Sequence, residues 1–78
     1  MNDTELDLPL CINTKLKRYF SLLEGEEPNG VLKMVIRDVE PVIIKFVLEH
    51  TNNNKSETSR ILGINRLTLA KKIKMYNL

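Results

Sequence analysis

Residues 55–76 read KSETSRILGINRLTLAKKIKMY, and their punctuation decides the fold. A short polar run ends with Ile61 and Leu62 as its apolar side. Gly63 follows, and glycine takes the left-handed conformation that closes a helix tightly. Asn65 has the side chain of an N-cap. Beyond it Leu69, Ile73 and Tyr76 recur at helical spacing as an inward stripe. Leu67, Ala70, Lys71 and Lys74 lie on the opposite side, with Thr68 and Met75 at the border. The spacing predicts a helix over 55–62, a corner filled by Ile64, and a second helix over about 66–76. Helix, three-residue corner with glycine, helix is the helix-turn-helix pattern, here spanning about 55–74.

Just upstream, TNNN at 51–54 is loop chemistry, and Asn54 with Glu57 has the spacing of a capping box. The segment is basic. Residues 51–78 hold six bases and one acid, net +5, whereas residues 1–50 hold six bases and nine acids, net −3, within an overall charge of +2. A basic end on an acidic body suggests a polyanion partner, although charge alone also suits a solvated lysine-rich face. The second helix of such a unit enters the DNA major groove with its N-terminal residues against base edges. Asn65, Arg66 and Thr68 stand there, and Arg66 suits a bidentate contact to guanine. Lys71, Lys72 and Lys74 as a group suit phosphate.

Residues 31–50, VLKMVIRDVEPVIIKFVLEH, hold twelve apolar residues in twenty. They spread around more than one helix face, so this helix must be buried on several sides. A 78-residue chain has too little else to cover it. The simplest remedy is a second copy packed across a two-fold axis. Val39, Ile43, Phe46 and Val47 are the candidate interface residues. Pro41 is expected to kink one continuous helix; two separate helices broken near Glu40 are the alternative.

Toward the N-terminus, Leu16, Tyr19, Phe20 and Leu23 form one apolar stripe of a first helix, capped by Asn13 or Thr14 and ended by Gly25. EGEEPNG reads as a polar loop. Residues 1–12 are acidic, contain Pro9, and read as a flexible arm. The expected organisation is therefore an arm at 1–12, dimerisation helices over 13–50, and a DNA-binding segment over 51–78. The fold class is all-α, with four helices per subunit in an intertwined homodimer.

Other classes find little support. A single Cys11 allows no intramolecular disulfide and no cysteine-rich zinc site, and His50 is the one histidine. No apolar run approaches the roughly 20 residues that span a bilayer. The first ten residues carry three acids and no base, unlike a signal peptide, so a cytoplasmic protein is expected. No nucleophile–base pair, paired acids or phosphate-cradling glycine loop is present. An enzyme is not expected, nor a cofactor, metal or small-molecule substrate.

SETSRILGINRLTLAKKIKMY resembles the C-terminal helix-turn-helix of the Fis family, the factor for inversion stimulation. LGINRxTLxKKIKxY is its specific part, and PL at 9–10, LKRYF at 16–20 and VEP at 39–41 agree. The resemblance covers nearly the whole chain after residue 8. Larger enhancer-binding activators end in the same motif, but the start at Met1 without other domains fits the stand-alone form. The resemblance implies a homodimer whose recognition helices sit closer together than successive major grooves, so that binding bends the DNA. It implies a nucleoid-associated regulator of transcription. It places Asn65, Arg66, Thr68 and Lys71 in the major groove, and Asn54 and Ser56 on backbone phosphates.

The chain also departs from the family pattern. Ala70 and Glu57 each stand where the family has arginine. Leu67 replaces a glycine and faces outward, where a thymine methyl contact and a narrowed choice of bases are both open to it. The proline falls one position early. With about a dozen residues before the first expected helix, the recombinase-contacting arms of the family are not expected. The competing reading is a protein-interaction dimer whose basic helix binds an acidic partner.

Overall fold

The computed structural model describes residues 7–78, where four α-helices follow one another: α1 (Leu8–Ser21), α2 (Val31–His50), α3 (Lys55–Leu62) and α4 (Arg66–Tyr76). No strand occurs among the described residues, so the chain is all-α. It divides into two compact units, one ending at Val35 and the other comprising Ile36–Leu78.

In the first unit α1 starts at Leu8, not after Asn13 or Thr14 as the apolar stripe suggests. Asp7 is the N-cap, its carboxylate accepting a hydrogen bond from the Leu10 N–H at 3.0 Å. Pro9 sits in the first turn, where a missing N–H costs nothing. The expected arm is therefore helical from Leu8 on, and its residues 1–6 lie outside the described residues. Ile12, Leu16, Tyr19 and Leu23 are half-buried, whereas Phe20, expected in the stripe, is 49% exposed.

The second unit holds the core. Ile44 and Leu48 of α2 and Leu69 of α4 are buried, and Leu62, Ile64, Ile73 and Tyr76 pack around them. α2 is one continuous helix through Pro41. It ends in two left-handed residues, Asn52 and Asn53. Asparagine tolerates that conformation better than most residues, and it lets the Asn53 N–H reach back to the Leu48 carbonyl at 2.8 Å.

α3 is capped as predicted: Asn54 Oδ1 accepts from the Glu57 N–H at 3.0 Å. The reciprocal half of a capping box does not form, because the Glu57 carboxylate pairs with Arg60 instead. The buried side of α3 also differs from expectation. Ile61 is 44% exposed and Leu62 only half-buried, while Thr58 and Ser59 are buried. Their hydroxyls are satisfied locally: Thr58 with the Thr51 hydroxyl at 2.6 Å, and Ser59 donating to the Ser56 carbonyl at 2.9 Å. Small side chains with internal partners meet no desolvation penalty there.

The corner follows the sequence closely. Gly63 has φ +77, the Ile64 N–H bonds the Ser59 carbonyl at 3.1 Å, and the Gly63 N–H bonds that of Arg60 at 3.3 Å. These are the paired bonds of a Schellman motif. Asn65 then caps α4, accepting from the Thr68 N–H at 2.7 Å.

Candidate nucleic-acid interface

The N-terminal turn of α4 is held from two sides. Asn65 Oδ1 bonds the Thr68 N–H, and the Leu69 N–H bonds the Asn65 carbonyl at 3.0 Å. The Leu69 side chain is fully buried. With cap and anchor fixed, the directions of Arg66, Leu67 and Ala70 are set by helical geometry. All three are exposed, and so are Lys71 and Lys74. Leu67, Ala70, Lys71 and Lys74 occupy one side of α4 at spacings of three and four, opposite the Leu69–Ile73–Tyr76 stripe. Arg66 flanks that side at the first helical position, and Thr68, half-buried, lies at its other border.

Asn65 is both cap and candidate contact. Its oxygen is committed to the helix, which leaves the amide NH₂ as the group it can present. Asn54 and Ser56, at the start of α3, are exposed. Asn54 likewise spends its oxygen on the Glu57 N–H.

Lys72 is placed differently from its neighbours. Its Nζ donates to Glu40 Oε1 of α2 at 2.8 Å, and the Tyr76 hydroxyl donates to the same oxygen at 2.8 Å. The Lys72 and Glu40 side chains are only 27% and 26% exposed. The hydrogen bonds from Lys72 and then Tyr76 hold the Glu40 carboxyl below its ordinary range, outweighing the opposing effect of burial. Glu40 in turn raises the Lys72 ammonium. Burial first, then the bond to Glu40, raises the Tyr76 hydroxyl.

Glu40 and Tyr76 are the residues that reading α4 alone misses as part of this cluster. The signal is in the spacing. Glu40 falls on the face of α2 that carries Ile44 and Leu48, one and two turns on, so a carboxylate there needs partners. Lys72 stands three residues after Leu69 and four before Tyr76, on the inward face of α4.

On α3 the Glu57–Arg60 pair lowers the Glu57 carboxyl and offsets one base of the segment. Lys55, Arg66, Lys71 and Lys74 are the bases of residues 51–78 not drawn into either pair, and all are exposed. Three of the four lie on α4. A rigid helix start presenting exposed bases, with amide donors at Asn54 and Asn65, can hold a polyanion and place Arg66 against a planar acceptor pair. Among the described residues no cluster of His, Cys, Asp and Glu could hold a metal ion, and no helix is long and apolar enough to cross a membrane.

A family model described as "Bacterial regulatory protein, Fis family" matches residues 35–76. Over 78 residues, 100% of this chain and 99% of the relative, the sequence is 41% identical to a protein of Neisseria meningitidis serogroup A named as a Fis-like DNA-binding protein. It is 37% identical over 76 residues to the DNA-binding protein Fis of Mannheimia haemolytica, covering 95% of this chain and 78% of that one. It is 33% identical over 75 residues to the DNA-binding protein Fis of Aliivibrio fischeri, covering 96% and 76%.

Proposed function

Because the chain belongs to the Fis family of bacterial regulatory proteins, we propose that it is a homodimer that binds duplex DNA through α4, bends it, and regulates transcription from the cytoplasmic nucleoid. The observation that carries the DNA reading is the outer side of α4. Arg66, Lys71 and Lys74 are exposed there on a helix start fixed by Asn65 and Leu69. Arg66 and Thr68 face base edges, and Lys71 lies beside them. Asn65 stands with them in the major groove through its amide NH₂, and Asn54, Ser56 and Lys74 hold backbone phosphates. Lys72 acts through Glu40 as a positioning residue.

Two features support the dimer. Buried apolar side chains among the described residues are only Ile44, Leu48 and Leu69, a small core for a chain that must fold alone. Meanwhile Ile36, Val39, Ile43 and Phe46 recur at spacings of three, four and three along α2, the narrow seam of a helix made to pack on another helix. Ile36, Ile43 and Phe46 are 44%, 49% and 71% exposed, and Val39 and Val47 are half-buried. Bending follows if the two α4 helices of a dimer sit closer than successive major grooves, as the family resemblance implies.

The test is a gel shift on duplex DNA across a range of salt. Affinity should fall by orders of magnitude between low and moderate salt as phosphate counterions are released. Binding indifferent to salt, or no binding to duplex, would favour an acidic protein partner for the basic helix.

A further inference from the structure

Leu67 is the second residue of α4 and 66% exposed. A lone exposed leucine is ordinary on a protein surface. This one is unusual in its surroundings. Arg66 precedes it, Ala70 and Lys71 follow on the same side at three and four residues, and Lys74 comes seven residues on. Among the outer positions 67, 70, 71 and 74 it is the large apolar side chain, with Met75 at the border about two turns on, and the Asn65 cap and Leu69 anchor fix the turn that carries it.

Resting on the DNA-binding reading above, we infer that Leu67 selects for a C5 methyl group on a pyrimidine in the major groove. The groove floor presents hydrogen-bond donors and acceptors at every base pair, and its one apolar group is the thymine methyl. Against that methyl, Leu67 removes apolar surface from water on both sides. Against a guanine or adenine edge it strips water from polar atoms and offers no bond in return. The same side chain therefore rewards one base and penalises the others. Ala70, too short to intervene, leaves room beside it. The charge around it brings the duplex to this face, because Arg66, Lys71 and Lys74 hold the phosphates and base edge on either side. Thymine and 5-methylcytosine carry the same group, so the recognised chemistry is the methyl and not the base.

The experiment uses the full chain and a duplex enriched from a randomised pool by binding. Each thymine is replaced in turn by deoxyuridine, which removes only the methyl. Wild-type protein should lose about fourfold in affinity at one thymine position per half-site, and about fifteenfold with both half-sites changed. Cytosine at that position should bind weakly, and 5-methylcytosine should recover much of the loss. Leu67→Ala should bind the thymine and deoxyuridine duplexes alike, with its salt dependence unchanged. Wild-type protein indifferent to deoxyuridine at every position overturns the inference. So does methyl discrimination that persists in Leu67→Ala, since another residue would then read the methyl. Failure to enrich any duplex would appear before a base is replaced, and would remove the DNA reading together with this one.

Discussion

Glu40 Oε1 accepts the Lys72 ammonium at 2.8 Å across the gap between α2 and α4. One lysine of α4 is thereby turned away from the basic outer side, while Lys71 and Lys74 remain exposed. Adjacent lysines in the sequence thus have different work.

Salt dependence should separate them. Lys74→Ala should make the salt slope of DNA binding shallower by about one per subunit, and weaken preferred and random duplexes alike. Lys72→Ala should leave the slope near the wild-type value and lower thermal stability instead. Binding titrations at several salt concentrations, with a melting curve for each variant, check both. Equal slope changes for the two lysines would refute the assignment.

Arg66→Ala should cost about 1–3 kcal/mol of affinity at a preferred site and flatten discrimination at one base pair per half-site. Titration on one preferred and one scrambled duplex is the check. Equal weakening on both would make Arg66 a phosphate contact.

The Glu40 tie should be sensitive to acid. Lys72 and Tyr76 depress the Glu40 pKa in the folded state. A group depressed on folding contributes stability above its unfolded pKa and loses it as pH falls through the folded one. Wild type should therefore exceed Glu40→Gln in stability at neutral pH, and the gap should close below the ordinary carboxylate range. Urea unfolding at neutral and acidic pH measures it. A gap that is constant with pH would show that the carboxylate charge is not involved.

Ile43 tests the dimer. Placing a charge on the exposed seam of α2 with Ile43→Asp should dissociate the subunits, because the charge would be buried without a partner. Sedimentation of the wild type should report about 18 kDa, twice the 9.0 kDa subunit. Helix content of the variant should fall together with its mass. A stable wild-type monomer near 9.0 kDa would defeat the proposal.

Gly63 tests the corner. It has φ +77, and a Cβ there would meet nothing within 4 Å. The cost of Gly63→Ala is therefore conformational, about 1–2 kcal/mol. Gly63→Asn should cost less, since Asn52, Asn53 and Asn77 already adopt positive φ in this chain. Chemical denaturation of both variants gives the comparison, and equal losses would point to a cause other than backbone conformation.

Local chemistry is what the sequence determined by itself. The bounds of α3 and α4, both asparagine caps and the left-handed Gly63 follow from interactions within a few residues, which do not depend on what packs nearby, and the Leu69–Ile73–Tyr76 stripe is legible as a helical period. Only the tertiary structure decided which side of α3 is buried: Thr58 and Ser59 are covered while Ile61 stays 44% exposed, because burial follows from what packs on the helix and not from residue type alone. It likewise decided the fate of Lys72. A lysine's reach covers both the outer side of α4 and the groove beside α2, and only the position of Glu40, thirty-two residues away in sequence, determines which environment holds the charge.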